Sequence, residues 1–270
     1  MELTVLGCSG SVPGPGEPAS GYLLEAEGFL LAVDFGNGVL ASLQTVCDPF
    51  DLGALLISHL HPDHCVDLTA LTVLRRYHPS PPFDVCARRL PVHAPRNAPQ
   101  RFAAAYEATP VEDGRSVVLE VFDFHPIAEE TVHIGPFEVT PALVAHPCEA
   151  YGFRIRHGGA SLVYTGDTGP CDALEDLARD ADVLLSEASW TDGPERPVGV
   201  HLSGTQAGDL ARRAGARSLL LTHVPPWTDR NAVLAEARAE FPGPVEAVRR
   251  GARYSVDRGG FGVSGRPLTT

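Results

Sequence analysis

The 270-residue sequence predicts an α/β protein, a four-layer αββα sandwich, on three observations. Strand-like runs fall in two clusters, each followed by helical runs, the pattern of two sheets packed face to face with helices outside. A hydrophobic fraction of 44% supplies material for such layers, while no apolar run approaches the ~18 residues of a membrane span. The Pro-rich stretches "PGPGEP" and "HPSPPF" are too short to separate domains, so residues 1–270 read as one domain.

The elements follow in order. "LTVL", "GYLLEA" and "FLLAVDF" read as three opening strands, with a Gly/Pro-rich loop after the first. "GVLASLQTV" reads as a helix, "ALLIS" as a buried strand and "HCVDLTALTVLRRYH" as an amphipathic helix. Strands are expected at "FDVCA" and "PVHA", then a helix in "PQRFAAAYEA". The middle is strand-rich: "SVVLEVFDF", "ETVHIG", "FEVTPALVAH" and "YGFRIRHGGASLVYTGD", the last turning at "HGGA". Strand–helix alternation then returns with "CDALEDLARD", "ADVLLSE", "SGTQAGDLARRAG", "RSLLLTH" and "RNAVLAEARAEF", and "PVEAVRRGARYSV" closes in short strands.

A formal net charge of −13 argues against a large phosphate-backbone footprint, although bound cations can reverse the field at one cleft. All 21 basic residues are arginines, which removes Schiff-base chemistry and any P-loop lysine. The cysteines (Cys8, Cys47, Cys65, Cys86, Cys148, Cys171) are irregularly spaced without C-x-x-C, as in a reduced protein. The N-terminus lacks the basic residues and long apolar run of a signal peptide, so a cytoplasmic location is expected.

The most informative stretch is "SHLHPDHCVD", with His59, His61, Asp63 and His64 directly after a buried strand. Ligand sites in α/β sheets collect at the C-terminal edge of strands. His59 and His61, two residues apart, point the same way in extended backbone, and Asp63 and His64 fall near the start of the next helix. One loop can thus offer two imidazoles to one ion and a carboxylate plus an imidazole to another, ligands that suit zinc and similar cations. His146 after "PALVA", Asp167 after "LVYTG" and His223 after "LLLT" repeat the arrangement at three further strand ends.

In this order "SHLHPDH", "AHP", "TGDTG" and "LTH" resemble the five-motif signature of the metallo-β-lactamase superfamily, over nearly the whole chain from Asp34 in "VDFGNG" to His223. The resemblance implies an αββα fold and two divalent metal ions. His59, His61 and His146 would hold one, Asp63, His64 and His223 the other, Asp167 would bridge them, and Asp34 would support from outside. Zinc is the first expectation, and the carboxylates are hard enough for Mn, Fe or Mg.

"LLSEASW" and "VGVHLSGTQAGDLARRAGA" resemble the RNase Z-like phosphodiesterase branch, which implies a pair of Glu187 with His201 and makes Ser203 a helix N-cap. His201 would protonate an alkoxide leaving group, Glu187 would keep it charged and aimed, and Asp63 is the candidate to recover the proton. Enzymes of that branch that process tRNA carry a flexible arm between the third and fourth motifs; here residues 147–166 are used by a hairpin. "LGCSGSVPGPGEPASGYLLEA" and "SHLHPDHCVDLTALTVLRRYHPSPP" look closest to the actinobacterial atypical class II cyclic-nucleotide phosphodiesterases. The expectation is therefore hydrolysis of a 3′,5′-cyclic nucleotide, cAMP above cGMP, to the 5′-monophosphate. It comes with a small nucleotide as partner, no long RNA, no membrane and, as in relatives, room for a homodimer. The alternatives are an RNA nuclease, an acyl-ester or thioester hydrolase, and a metal-dependent nucleotide sensor without turnover.

Elsewhere the reading is structural. "GCSGSVPGPG" is expected to be turn structure at the site rim, and Arg75, Arg76, Tyr77 and His78 to end a helix. His93, His125, His133 and His157 have no partner spacing, and Cys65 and Cys148 are expected to be buried and inert.

Overall fold

The structure is a computed structural model that describes residues 1–109 and 116–264. Residues 110–115 and 265–270, within the single domain expected over 1–270, lie outside the described residues. The chain opens with β1 (Glu2–Gly7), β2 (Gly21–Ala26) and β3 (Phe29–Val33), followed by α1 (Val39–Leu43) and β4 (Leu52–Leu56). Next come α2 (Pro62–Cys65), α3 (Leu68–Tyr77), β5 (Leu90–Ala94), α4 (Ala98–Tyr106), α5 (Val117–Val121) and β6 (Phe122–Pro126). The antiparallel run β7 (Val132–Ile134), β8 (Phe137–Leu143), β9 (Tyr151–His157) leads to β10 (Ala160–Tyr164). The last third holds α6 (Asp172–Ala178), β11 (Val183–Glu187), α7 (Gly204–Arg213), β12 (Leu219–Thr222) and α8 (Arg230–Glu240). It closes with β13 (Val245–Ala247), β14 (Arg253–Asp257) and β15 (Gly260–Val263).

The strands form two sheets, ordered β15-β14-β1-β2-β3-β4-β5-β6 and β13-β12-β11-β10-β9-β8-β7. Period-two alternation sorts their side chains into layers. Tyr22 and Leu24 of β2, with Val183 and Leu185 of β11, belong to the core between the sheets. The intervening Leu23 faces the helices that cover the first sheet, and Leu184 faces those on the second. Three apolar layers separate four layers of structure, and the expected αββα sandwich is borne out. Among the described residues no helix is long and apolar enough to cross a membrane.

Local differences from the sequence reading have identifiable causes. "FDVCA" is a turn rather than a strand, because the Asp84 carboxylate accepts hydrogen bonds from the backbone N–H groups of Cys86 and Ala87. The β-branched start of "SVVLEVFDF" is the helix α5, because Ser116 caps it at Val118 N–H and donates to Glu107, which also takes Val117 N–H. The single helix expected from His64 to His78 is divided into α2 and α3. Ser203 caps α7 as expected, in a reciprocal box with Gln206.

What positions the site is strand direction. β10, β11, β12 and β13 are mutually parallel, and β8 runs with β10 because both are antiparallel to β9. In the facing sheet β3 to β6 are parallel. The ends of β4, β8, β10, β11 and β12 and the segments that directly follow them carry the candidate ligands and the Glu187–His201 pair.

Candidate metal centre and active site

Two groups of side chains converge at that edge, with a third of metal-holding spacing (Glu187, His201 and His223) beside them: His59, His61, His146 and Asp167 in one, Asp63, His64, Asp167 and His223 in the other. Asp167 belongs to both. Its Oδ2 lies 3.7 Å from His59 Nε2, while its Oδ1 lies 3.1 Å from His64 Nε2 and 3.3 Å from His223 Nε2. In the first group His61 Nδ1 sits 3.0 Å from His59 Nε2 and 3.2 Å from His146 Nε2. In the second, Asp63 Oδ2 is 3.2 Å from His223 Nε2 and 3.5 Å from His64 Nε2.

Close backbone packing holds these loops. A methyl group at Gly36 would lie 1.9 Å from the Asp63 carbonyl oxygen, and one at Gly10 would lie 2.3 Å from that of His223. Gly10 and Ser11 of the N-terminal Gly/Pro loop therefore rest on the site rather than merely border it. Asp34 and His223 adopt left-handed backbone, with φ of 56° and 55°, a conformation non-glycine residues rarely hold without a local need.

The outward face of four of the five rings is tied down, and the ties settle their tautomers. The Val200 carbonyl accepts from His146 Nδ1 at 3.0 Å, and the Asp34 carboxylate accepts from His64 Nδ1 at 2.7 Å. Ser189 donates its hydroxyl to Glu187, so its oxygen accepts from His223 Nδ1 at 2.9 Å. Ser58 donates to Asp34 and in turn accepts from His59 Nδ1 at 3.1 Å. With those Nδ1 atoms protonated, the Nε2 atoms of His64 and His223 present lone pairs to each other at 3.1 Å. Two lone pairs at that distance repel unless a cation lies between them. Four imidazoles so oriented, plus the buried Asp167 Oδ1 with no hydrogen-bond partner, are a donor set that fits divalent ions. The ~3.3 Å edge of a tetrahedron with zinc–nitrogen bonds of about 2.0 Å matches these ring-to-ring distances.

The electrostatics agree. Burial alone would raise Asp167 and Asp63, yet His64 and His223 hold both carboxyls well below the usual range. Burial opposes charge on His64, but Asp167 and Asp34 outweigh it and raise its basicity, so with no cation beside it this ring would hold a proton where a bound cation would otherwise sit. His59, buried among other imidazoles, is held well below the usual histidine range. Asp34 is fully buried and accepts from Ser58 N–H, Ser58 Oγ, His64 and Tyr164 OH. Buried carboxylates this close need cations to offset them.

Beside both groups stands the expected pair. His201 Nδ1 donates to Glu187 Oε1 at 3.0 Å, and the His201 ring packs against those of His146 and His223 at 5.7 and 5.3 Å. Glu187 is wholly buried but satisfied, since Thr168 N–H and Ser189 OH also donate to it. Burial lowers the basicity of His201, but the charge and hydrogen bond of Glu187 more than offset this and push it up to about 9.

All nine residues named from the sequence as ligands or as the acid pair thus meet at one edge. Ser58, Thr168, Ser189 and Tyr164, which anchor them, were given no role although all four lay inside quoted stretches; Tyr164 reaches Asp34 across 130 positions. His93, His125, His133 and His157 stay outside: His93 stacks on His125, and His157 pairs with Glu27. Cys65 is buried as expected, but Cys148 is exposed, because it lies in the open loop between His146 and β9, with Sγ 4.0 Å from His61. Arg75 is more than a helix-end cation: it is buried against the rings of Phe50 and Phe83.

This fold and site define a metal-dependent hydrolase, and the chain belongs to the metallo-β-lactamase superfamily, its residues 33–224 matching the beta-lactamase superfamily domain. It is 50% identical over 263 residues to the uncharacterized protein Rv1339 of Mycobacterium tuberculosis, covering 96% of this chain and 94% of that one. It is 30% identical over 268 residues to the ribonuclease Z of Mycobacterium avium, covering 91% and 95%. Among solved structures it is similar to the metallo-beta-lactamase fold protein YhfI from Bacillus subtilis, with a TM-score of 0.81, 27% identity and coverage of 94% and 99%.

Proposed function

We propose that the protein hydrolyses 3′,5′-cyclic nucleotides, cAMP before cGMP, to 5′-monophosphates. The observation that carries this reading is the Glu187–His201 ion pair at the junction of the two ligand groups. Opening a cyclic phosphodiester expels an alkoxide, which needs a proton as it leaves, whereas binding alone needs no such acid. The surface charge and the hairpin favour a small substrate over a long RNA. The net charge is −13, and β9 and β10 use the chain between His146 and Asp167 where a tRNA-binding arm would emerge.

His59, His61 and His146 would hold one divalent cation and Asp63, His64 and His223 the second, with Asp167 shared; the imidazole-rich set favours zinc. Such cations, when bound, polarise the phosphate and lower the pKa of water toward neutrality. The protein's own part is directional. Nδ1 of His201 is committed to Glu187, so Nε2 carries the transferable proton. As the P–O3′ bond breaks, its electron pair goes to O3′, which takes that proton. Asp63 is the candidate to accept the proton shed by the attacking water, but its neighbours His223 and His64 hold it well below the usual carboxylate range, which makes it a weak base. The same reading assigns the protein to the cytoplasm, where its six free thiols would stay reduced.

The direct test is a substrate panel on metal-quantified protein: cAMP, cGMP, a precursor tRNA, a thioester and bis-(p-nitrophenyl) phosphate. The highest kcat/KM is expected on cAMP. Faster cleavage of the precursor tRNA or the thioester would replace this reading with one of the alternatives.

A further inference from the structure

The chain has only two tryptophans, and both line one cleft. That cleft, of ≈350 Å³, is walled by Ser11, Ser189, Trp190, Arg196, His201 and Trp227. It is therefore continuous with the catalytic edge, His201 belonging to both. The Trp190 indole meets the His201 ring edge-on, with centroids 5.1 Å apart. Its backbone is fixed by Gly204 N–H, which donates to the Trp190 carbonyl at 3.1 Å. Above the indole, 5.5 Å from its centroid, lies the Arg196 guanidinium, whose Nε donates to the Thr191 carbonyl at 2.9 Å. No carboxylate pairs with Arg196 among the described residues. Trp227 is 69% exposed, an unusual state for the largest apolar side chain.

We propose that Trp190, Arg196 and Trp227 form the seat of the purine base of the substrate, an inference that rests on the nucleotide reading above. In a 3′,5′-cyclic nucleotide the base is borne by the same ribose as O3′. A sugar whose O3′ faces His201 therefore projects its base into the wall that adjoins His201. That wall offers indole faces and a guanidinium held by Thr191 with no carboxylate partner among the described residues, the surfaces on which bases stack without hydrogen-bond readout. A two-ringed purine covers more of them than a pyrimidine. The seat would act on binding and leave the proton transfer to His201, so its loss should appear in KM rather than kcat.

Because every tryptophan of the chain is in this cleft, intrinsic tryptophan emission reports on it directly. Holoprotein titrated with 5′-AMP should show saturable quenching, and ribose 5-phosphate, which has the sugar and phosphate but no base, should show none. Trp227→Ala should raise KM for cAMP about tenfold with kcat within twofold. Its kcat/KM ratio between cAMP and bis-(p-nitrophenyl) phosphate should fall about tenfold. Equal quenching by the two probes, or equal losses on both substrates, overturns the base seat even if cAMP is hydrolysed. Quenching by 5′-AMP alone in a protein that prefers tRNA or a thioester supports the seat while refuting the function. A Trp227→Ala chain that sediments as monomer where the parent is a dimer would assign the exposed indole to a second copy and overturn the proposal.

Discussion

His201→Ala should keep its bound metal and lose about 10²- to 10⁴-fold in kcat on cAMP, the usual contribution of a positioned general acid. The loss should be far smaller on bis-(p-nitrophenyl) phosphate, because a p-nitrophenolate departs without a proton. His201 is suited to this contrast because it touches the ligand groups through ring packing while its own hydrogen bond goes to Glu187. The pH dependence carries a second signature. Only the protonated ring donates, so the rate on cAMP falls as pH rises through the His201 pKa. Glu187 pushes that pKa up to about 9, and cations bound nearby lower it from there. Glu187→Gln removes the raising charge and should move the alkaline limb toward lower pH. A limb that stays in place, or equal losses on the two substrates, would remove His201 from the leaving-group role.

Asp167→Asn should have the broadest effect of any single change. The carboxylate is buried and faces both ligand groups, with Oδ1 toward His64 and His223 and Oδ2 toward His59. Asparagine keeps the shape and removes the charge, so at least one equivalent of metal should be lost on dialysis. Losing several kcal/mol of transition-state charge stabilisation predicts a fall of about 10³-fold or more in activity. Stability separates this from simple misfolding. Metal that binds only the folded chain stabilises it, so a chelator should lower the parent's Tm by more than that of Asp167→Asn.

The site was legible from sequence because its chemistry repeats a local rule: each candidate ligand follows an apolar run that proves to be a strand, β4, β8, β10 or β12. The supports were less legible. Tyr164 and Ser189 are common residue types whose roles depend on contacts between loops far apart in sequence, and spacing along one strand carries no trace of them. The fold errors have the opposite cause. At Asp84 and Ser116 one side chain bonding to nearby backbone outweighed the strand preference of the residues that follow. Trp227 illustrates a third limit, since its exposure depends on the turn after β12 and not on its own neighbours in sequence.

The central claim is that two cations share this edge, and anomalous diffraction from crystals of the metal-loaded protein tests it most directly. The account predicts two peaks per chain, one among His59, His61 and His146 and one among Asp63, His64 and His223, with Asp167 touching both. A single peak, or peaks away from these residues, would contradict it.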